Sequence, residues 1–388
     1  MTVVTDLAWL MLAVWMFLLL CRGHFWRAGV RDDDILPPPP GGWPAVIAVI
    51  PARDEADMIG ATLASLFVQD YKGSLQIIVV DDQSSDGTSD IARRAAAGAG
   101  ATDRLLVLPG APLPEGWTGK LWAVNQGIEK ASRSDSPPTF IWLSDADITY
   151  APDTLSSLVA RAEAGNLVLT SLMARLRCDS LAERWLIPAF IFFFQMLYPF
   201  AWVNDPRSRM AGAAGGCMLV RRGALDKAGG IASIRSALID DCALGARLKQ
   251  QGAIWLGLTN RALSARPYPR FADIARMVSR SAYAQLHYSP WLLAGTVIGL
   301  AFVYLGPPLL ACVAHDDAAF PALLAWALMS SMFVPILRFY RLSPLRAPAL
   351  PLIALAYLVF TLHSAYQHAA GRGGMWKGRA QALPREGA

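Results

Sequence analysis

Ala45–Glu55 reads AVIAVIPARDE, Leu75–Thr88 reads LQIIVVDDQSSDGT and Phe140–Asp147 reads FIWLSDAD. Each stretch is a short apolar run that closes in a polar turn carrying acids. Runs of this length, bounded by turn residues, read as buried strands. Strands are thus expected at Ala45–Ile50, Leu75–Val80 and Phe140–Leu143, with another at Leu105–Leu108. Between them, Ile59–Phe67, Ser89–Ala97 and Leu121–Lys130 carry apolar residues at helical spacing. Alternation of strand and helix predicts an α/β fold with a doubly wound, mostly parallel sheet. Ligands of such sheets bind outside the carboxyl ends of the strands. The polar clusters Pro51–Glu55, Asp81–Thr88 and Ser144–Asp147 fall at those ends.

The chemistry of these clusters follows from their residue types. Asp145-Ala146-Asp147 offers two carboxylates at i and i+2 after a buried strand. Mg²⁺ accepts one or two carboxylates and takes its other ligands from phosphate and water. A divalent cation held there would neutralise a departing diphosphate. Asp81-Asp82 closes a strand where a carboxylate can accept from a ribose hydroxyl or a base N–H. Asp86 and Ser84 read as caps for the next helix. Asp240-Asp241 in ALIDDCAL provides a candidate proton acceptor; the adjacent pair could raise one pKa, though i and i+1 side chains on a helix diverge. Lys120 in WTGK sits where a loop opens a helix, a place that favours an anion. The loop is too short for a P-loop, and no G-x-G-x-x-G follows the first strand. A P-loop NTPase and a dinucleotide oxidoreductase are therefore excluded.

Composition sets the context. The 388 residues are 54% apolar and 17% charged, with mean hydropathy +0.34. Soluble domains run at about 25% charged residues, so a purely soluble enzyme is not expected. The formal charge is +5, and only six of the 35 basic residues are Lys. The arginines are scattered, which gives no nucleic-acid stripe. Five cysteines form no C-x-x-C pair and read as small packed hydrophobes. The five histidines form no H-E-x-x-H or H-x-H metal site.

Leu7–Cys21, extended by Val3 and Val4, predicts one membrane span. Trp291–Ala314, Ala318–Leu337 and roughly Ala347–Tyr366 predict three more. Arg22, Arg27 and Arg31 after the first span place the following chain in the cytoplasm by the positive-inside rule. His315-Asp316-Asp317 then suits the outer face, and Arg338, Arg341 and Arg346 the inner one. If the last segment crosses, the tail with Arg372, Lys377, Arg379 and Arg385 lies outside, against the charge rule. Trp185–Val203 is long enough to cross but carries Pro188, Gln195 and Pro199, and reads as an interfacial segment. The expected domains are a first span at 1–22, a Pro/Gly-rich linker at 23–42 and a cytoplasmic catalytic domain at 43–288. Spans at 289–370 and a basic tail at 371–388 complete them. The expected location is a bacterial inner membrane.

Taken in order, IPARDE from Ile50, VVDDQSSDGT from Val79, DAD from Asp145 and DD from Asp240 resemble membrane-bound family 2 glycosyltransferases of the GT-A fold. WTGKLWAVNQG (Trp117–Gly127), ALIDDCAL (Ala237–Leu244), RMVSRSAYAQ (Arg276–Gln285) and the four-span layout are most similar to the hopene-associated glycosyltransferases of bacterial hopanoid clusters. The resemblance covers residues 45–285. It implies a UDP-sugar donor, a lipid or polyprenoid (hopanoid) acceptor, and a Mg²⁺ or Mn²⁺ cofactor. It implies donor contacts from Pro51, Arg53, Glu55, Asp82, Lys120 and Asp145, with Glu55 and Asp82 toward uridine. Asp145 and Asp147 match the metal positions and Asp241 the general base. Gly215, Gly216, Asp240, Arg276 and Arg280 match acceptor or phosphate positions. The Q-x-x-R-W of processive members is absent: Met277–Ser281 keeps only Arg280. Single transfer is therefore expected. Trp376-Lys377-Gly378-Arg379 recurs in related membrane transferases, and its cations suit phosphate on the inner face. Transfer to a polyprenyl phosphate or a carotenoid, and a non-catalytic membrane scaffold that binds nucleotide sugar, are the alternatives.

Overall fold

The structure is a computed structural model and describes residues 3–133, 137–314, 317–377 and 379–380. The acidic link at His315-Asp316, Gly378 of the tail motif and Arg385 lie outside the described residues.

Eight strands form one sheet. They are β1 (Val46–Ala52), β2 (Leu75–Asp81), β3 (Leu105–Pro109), β4 (Phe140–Ser144), β5 (Ile148–Tyr150), β6 (Leu169–Arg175), β7 (Cys217–Arg221) and β8 (Ile254–Ser264). Their order is β3-β2-β1-β4-β7-β6-β8-β5. The β3-β2-β1-β4 half is parallel, and the helices Ala56–Phe67, Thr88–Gly98 and Gly119–Ser132 connect its strands. These are the elements expected from hydrophobic periodicity, with ends that shift by no more than three residues. The core explains why periodicity sufficed: all seven residues of β1 are buried, so the strand is apolar on both faces. Gly127 lets its helix approach this sheet, because a Cβ there would collide with the Val49 side chain.

The other half departs from a parallel sheet. β7 inserts antiparallel between β4 and β6, with Leu143 opposite Met218 and Ser171 opposite Met218 on its other side. β5 closes the edge antiparallel to β8. The sheet is therefore mixed and mostly parallel.

The chain divides into two compact units. One comprises Val30–Arg177, Trp202–Pro267 and Gly374–Ala388 and holds the whole sheet. The other comprises Met1–Gly29, Cys178–Ala201 and Tyr268–Gly373 and is helical. Four segments group differently from the expected 43–288 domain. Residues 30–42 begin inside the sheet unit, where Arg31 bridges Leu258 and the buried Asp32 accepts from Thr259. Residues 178–201 and 268–288 group with the helical unit, and the tail from Gly374 groups with the sheet unit.

In the helical unit, Val3–Cys21, Pro290–Val313, Ala319–Phe339 and Pro344–Ala369 are long and apolar enough to cross a membrane. The helix Leu181–Leu197 opens with a capping box, Ser180 accepting from the Glu183 amide at 3.1 Å. It buries Leu186, Ile191 and Phe192.

Candidate active site

The site is built at the carboxyl ends of β1, β2 and β4 and completed by the loop before β7, the helix Asp240–Lys249 and the residues after β8. A small cleft is lined by Pro51, Lys120, Asp145, Gly215 and Asp240, over a floor that includes Leu143 and Met218.

The turns after β1 and β2 lock one another. Asp54 and Gln83 both adopt left-handed backbone, φ 48° and 57°. Such geometry needs surrounding support. Asp54 accepts from the Ser85 amide at 2.8 Å, and its own amide donates to Ser84 Oγ at 3.0 Å. Asp86 accepts from the Thr88 amide at 3.0 Å and from the Ala56 amide at 2.9 Å. It thus serves the first turns of two helices, more than the single cap read from sequence. These bonds, led by Thr88, hold its pKa below the ordinary value although burial acts the other way.

Arg53 and Asp82 form the next layer. Asp82 is 1% exposed, and Arg53 donates to its carbonyl at 2.5 Å, with their charged groups 3.8 Å apart. Glu55 is 8% exposed. Arg266 donates to both its oxygens, at 2.8 and 2.6 Å, and Lys377 lies 3.0 Å from Oε1. Lys377 also donates to the Asp54 carbonyl at 2.7 Å, while its own carbonyl accepts from Arg53 at 3.3 Å. Arg266 reaches on to Asp147 Oδ2 at 2.6 Å. Burial lowers the Arg266 pKa, but the Asp147 and Glu55 charges outweigh it and hold the guanidinium above its usual value.

Lys120 organises the opposite side. Its helix begins at Gly119 behind Thr118, whose hydroxyl accepts from the Leu121 amide. Its ammonium lies 2.9 Å from Asp145 Oδ1 and 3.0 Å from Asp240 Oδ2. Burial opposes the charge, yet the two carboxylates raise the Lys120 pKa. Asp241 turns the other way. Its oxygens accept from the Gly215 amide at 2.9 Å and the Cys242 amide at 2.7 Å. Burial, then the Asp240 charge, push its pKa up to about 6. An ionisable carboxyl near neutrality is suited to accept a proton.

Of the residues named from the sequence, Pro51, Lys120, Asp145, Gly215 and Asp240 line one cleft, Asp241 adjoins it through the Gly215 amide, and Glu55 and Asp147 share Arg266. Gly216 faces away: its carbonyl accepts from Tyr150 at 2.8 Å, and a Cβ there would touch Ile148 at 3.3 Å. Arg276 and Arg280 belong to the helical unit, are exposed, and Arg276 pairs with Asp273. Arg266 was not legible in advance, because no motif surrounds it. Lys377 stood out for its charge, but its partners lie more than 300 residues away.

Among the described residues, no group of three His, Cys, Asp or Glu is placed to hold a metal. Asp145 and Asp147 supply two hard oxygen donors, a set that fits a cation completing its shell from phosphate and water.

Residues 47–229 match the family model described as Glycosyl transferase family 2. An N-acetylglucosaminyltransferase of Rhizobium leguminosarum bv. viciae is 30% identical over 146 residues, 37% of this chain and 31% of that protein. An N-acetylglucosaminyltransferase of Mesorhizobium japonicum is 28% identical over 196 residues, 48% of this chain and 42% of that one. The chain thus matches less than half the length of either relative. A mannosyltransferase from Pyrobaculum calidifontis, solved in complex with GDP-Man and Mn²⁺, superposes with a TM-score of 0.61. That similarity is at 19% identity and covers 94% of this chain and 99% of the other; it is a likeness of fold. Residues 47–229 thus match the Glycosyl transferase family 2 model, and the mixed, mostly parallel sheet is of GT-A-like fold.

Proposed function

We propose that this chain is an inverting glycosyltransferase that moves one sugar from a UDP-sugar to a lipid hydroxyl. The observation that carries the reading is Asp241: a carboxyl with its pKa pushed up to about 6, bonded to Gly215 beside a cleft lined by Lys120 and Asp145. In this reaction the acceptor oxygen bonds to the anomeric carbon from the face opposite the diphosphate. Its proton passes to Asp241, and the bond between the anomeric carbon and the diphosphate oxygen breaks, releasing UDP. Lys120 faces the diphosphate and stabilises the charge that develops on it. Asp145 and Asp147 would hold Mg²⁺ or Mn²⁺, which supplies further neutralisation of the leaving group.

Sugar transfer is supported by the two relatives named N-acetylglucosaminyltransferases, and UDP as the carrier by the match of Glu55 and Asp82 to uridine-contacting positions. Four helices apolar enough to span a membrane support a lipid acceptor. The motifs shared with hopene-associated enzymes favour a hopanoid polyol at a bacterial inner membrane, with the sheet unit in the cytoplasm. Absence of Q-x-x-R-W supports a single transfer.

The test is incubation of the purified chain with UDP-sugars, Mg²⁺ or Mn²⁺, and hopanoid polyols, read by lipid mass spectrometry. Polyprenyl phosphates and carotenoids are run beside them. A glycosylated hopanoid supports the proposal. Transfer only to another acceptor moves the assignment there, and nucleotide-sugar binding without turnover on any acceptor indicates a scaffold.

A further inference from the structure

We propose that Arg266 is a positioning residue of the donor site. It holds Asp147 in its cation-binding orientation and couples that carboxylate to Glu55. The inference rests on reading Asp145 and Asp147 as the cation-binding pair.

The backbone brings Arg266 alongside Asp147. β5 and β8 pair with Ile148 opposite Ser264, and the Ala265 amide donates to the Asp147 carbonyl at 2.8 Å. Arg266 is the next residue, and Pro267 after it biases its backbone toward extended conformations. Its guanidinium then uses two edges. Nε bonds Asp147 Oδ2 at 2.6 Å, and Nη2 bonds both Glu55 oxygens. Asp147 Oδ1 takes no part in this contact. A carboxylate fixed through one oxygen presents the other to a cation at little orientational cost, which is how outer partners tune metal sites.

The two acids depend on Arg266 unequally. Glu55 has a second cation, Lys377 at 3.0 Å. Among the described residues, Arg266 is the one cation paired with Asp147. Neutralising Glu55 therefore does not explain the arginine; orienting Asp147 does. A lysine cannot reproduce the fork, because its single nitrogen cannot bond from two edges at once.

The experiment titrates the purified full-length chain with Mn²⁺ in the presence of UDP, and separately GDP, reading free Mn²⁺ by electron paramagnetic resonance. We expect Arg266→Gln to weaken Mn²⁺ binding about 10–100-fold, the usual cost of losing an outer partner of a metal ligand. Arg266→Lys is expected to fall between. Arg261→Gln serves as control, since Arg261 bonds Asp153 and Asp32 from the same strand. It should lower the melting temperature and leave Mn²⁺ affinity at the wild-type value. Mn²⁺ affinity in Arg266→Gln equal to or tighter than wild type overturns the inference and leaves the donor-site reading intact. If that variant does not fold, wild-type affinity in Arg266→Lys overturns it equally. Failure of the wild-type chain to bind Mn²⁺ with either nucleotide overturns the donor-site reading and this inference together.

Discussion

The Gly215 amide donates to Asp241 Oδ2 at 2.9 Å, while Asp240, the next residue back, turns to Lys120 at 3.0 Å. Adjacent helical side chains diverge, so two neighbouring acids divide between two partners. One lies in an ion pair and the other is held by backbone amides. That division leaves Asp241 with a pKa near neutrality and gives the pair a measurable signature.

Asp241→Asn should lower sugar transfer by about 10²–10⁴-fold, the usual contribution of a positioned base. UDP binding should change little. Because Asp241 acts as the carboxylate, wild-type kcat/KM should fall as pH drops through about 6, where the group protonates. The check is a pH series of initial rates with a parallel UDP titration. A full rate in Asp241→Asn would falsify the assignment of the base.

Neighbouring charges should move that acidic limb in opposite directions. Asp240 raises the Asp241 pKa and Lys120 lowers it. Asp240→Asn therefore shifts the limb to lower pH, and Lys120→Gln shifts it to higher pH. The position of the limb is read separately from the rate on the plateau, which both substitutions lower.

Glu55 and Lys377 should differ in their effect on stability. Glu55→Ala removes the common acceptor of Arg266 and Lys377 and should cost about 3 kcal/mol, as expected for breaking a buried pair. Lys377→Ala leaves Glu55 paired with Arg266 and should cost about 1 kcal/mol or less. Thermal melts of the two variants give the ordering. A larger loss in Lys377→Ala would show that the tail, not Arg266, secures Glu55.

The tail should lie on the same side of the membrane as the sheet. Lys377 touches Glu55 and Asp54, so in a membrane the chain between Pro267 and Gly374 should cross an even number of times. If two of Pro290–Val313, Ala319–Phe339 and Pro344–Ala369 cross, the third should not. Such a topology would reconcile the basic tail with the charge rule. Single cysteines introduced at 372 and at 94, probed with a membrane-impermeant thiol reagent in oriented vesicles, should label together. Labelling from opposite sides would exclude the Lys377–Glu55 contact.

The parallel half of the sheet was legible because its causes are local. An apolar run as long as Val46–Ile50 or Leu75–Val80 is a strand wherever it sits, and the acid after it falls at the strand end. Asp145, Asp147, Asp240 and Asp241 could be named from such runs and from their resemblance to a family. The antiparallel insertion of β7 was not legible, because pairing Leu143 with Met218 joins residues 75 apart through backbone bonds that leave no side-chain pattern. Partners were hidden for the same reason. Arg266 meets Glu55 across 211 residues, and Lys377 meets Asp54 across 323. Residue types and local spacing by themselves determined which groups carry charge and where strands end. Which cation faces which acid, and which of two adjacent carboxyls is pushed toward neutrality, was decided only by tertiary structure, because burial and Coulombic contact depend on distance in space and not along the chain.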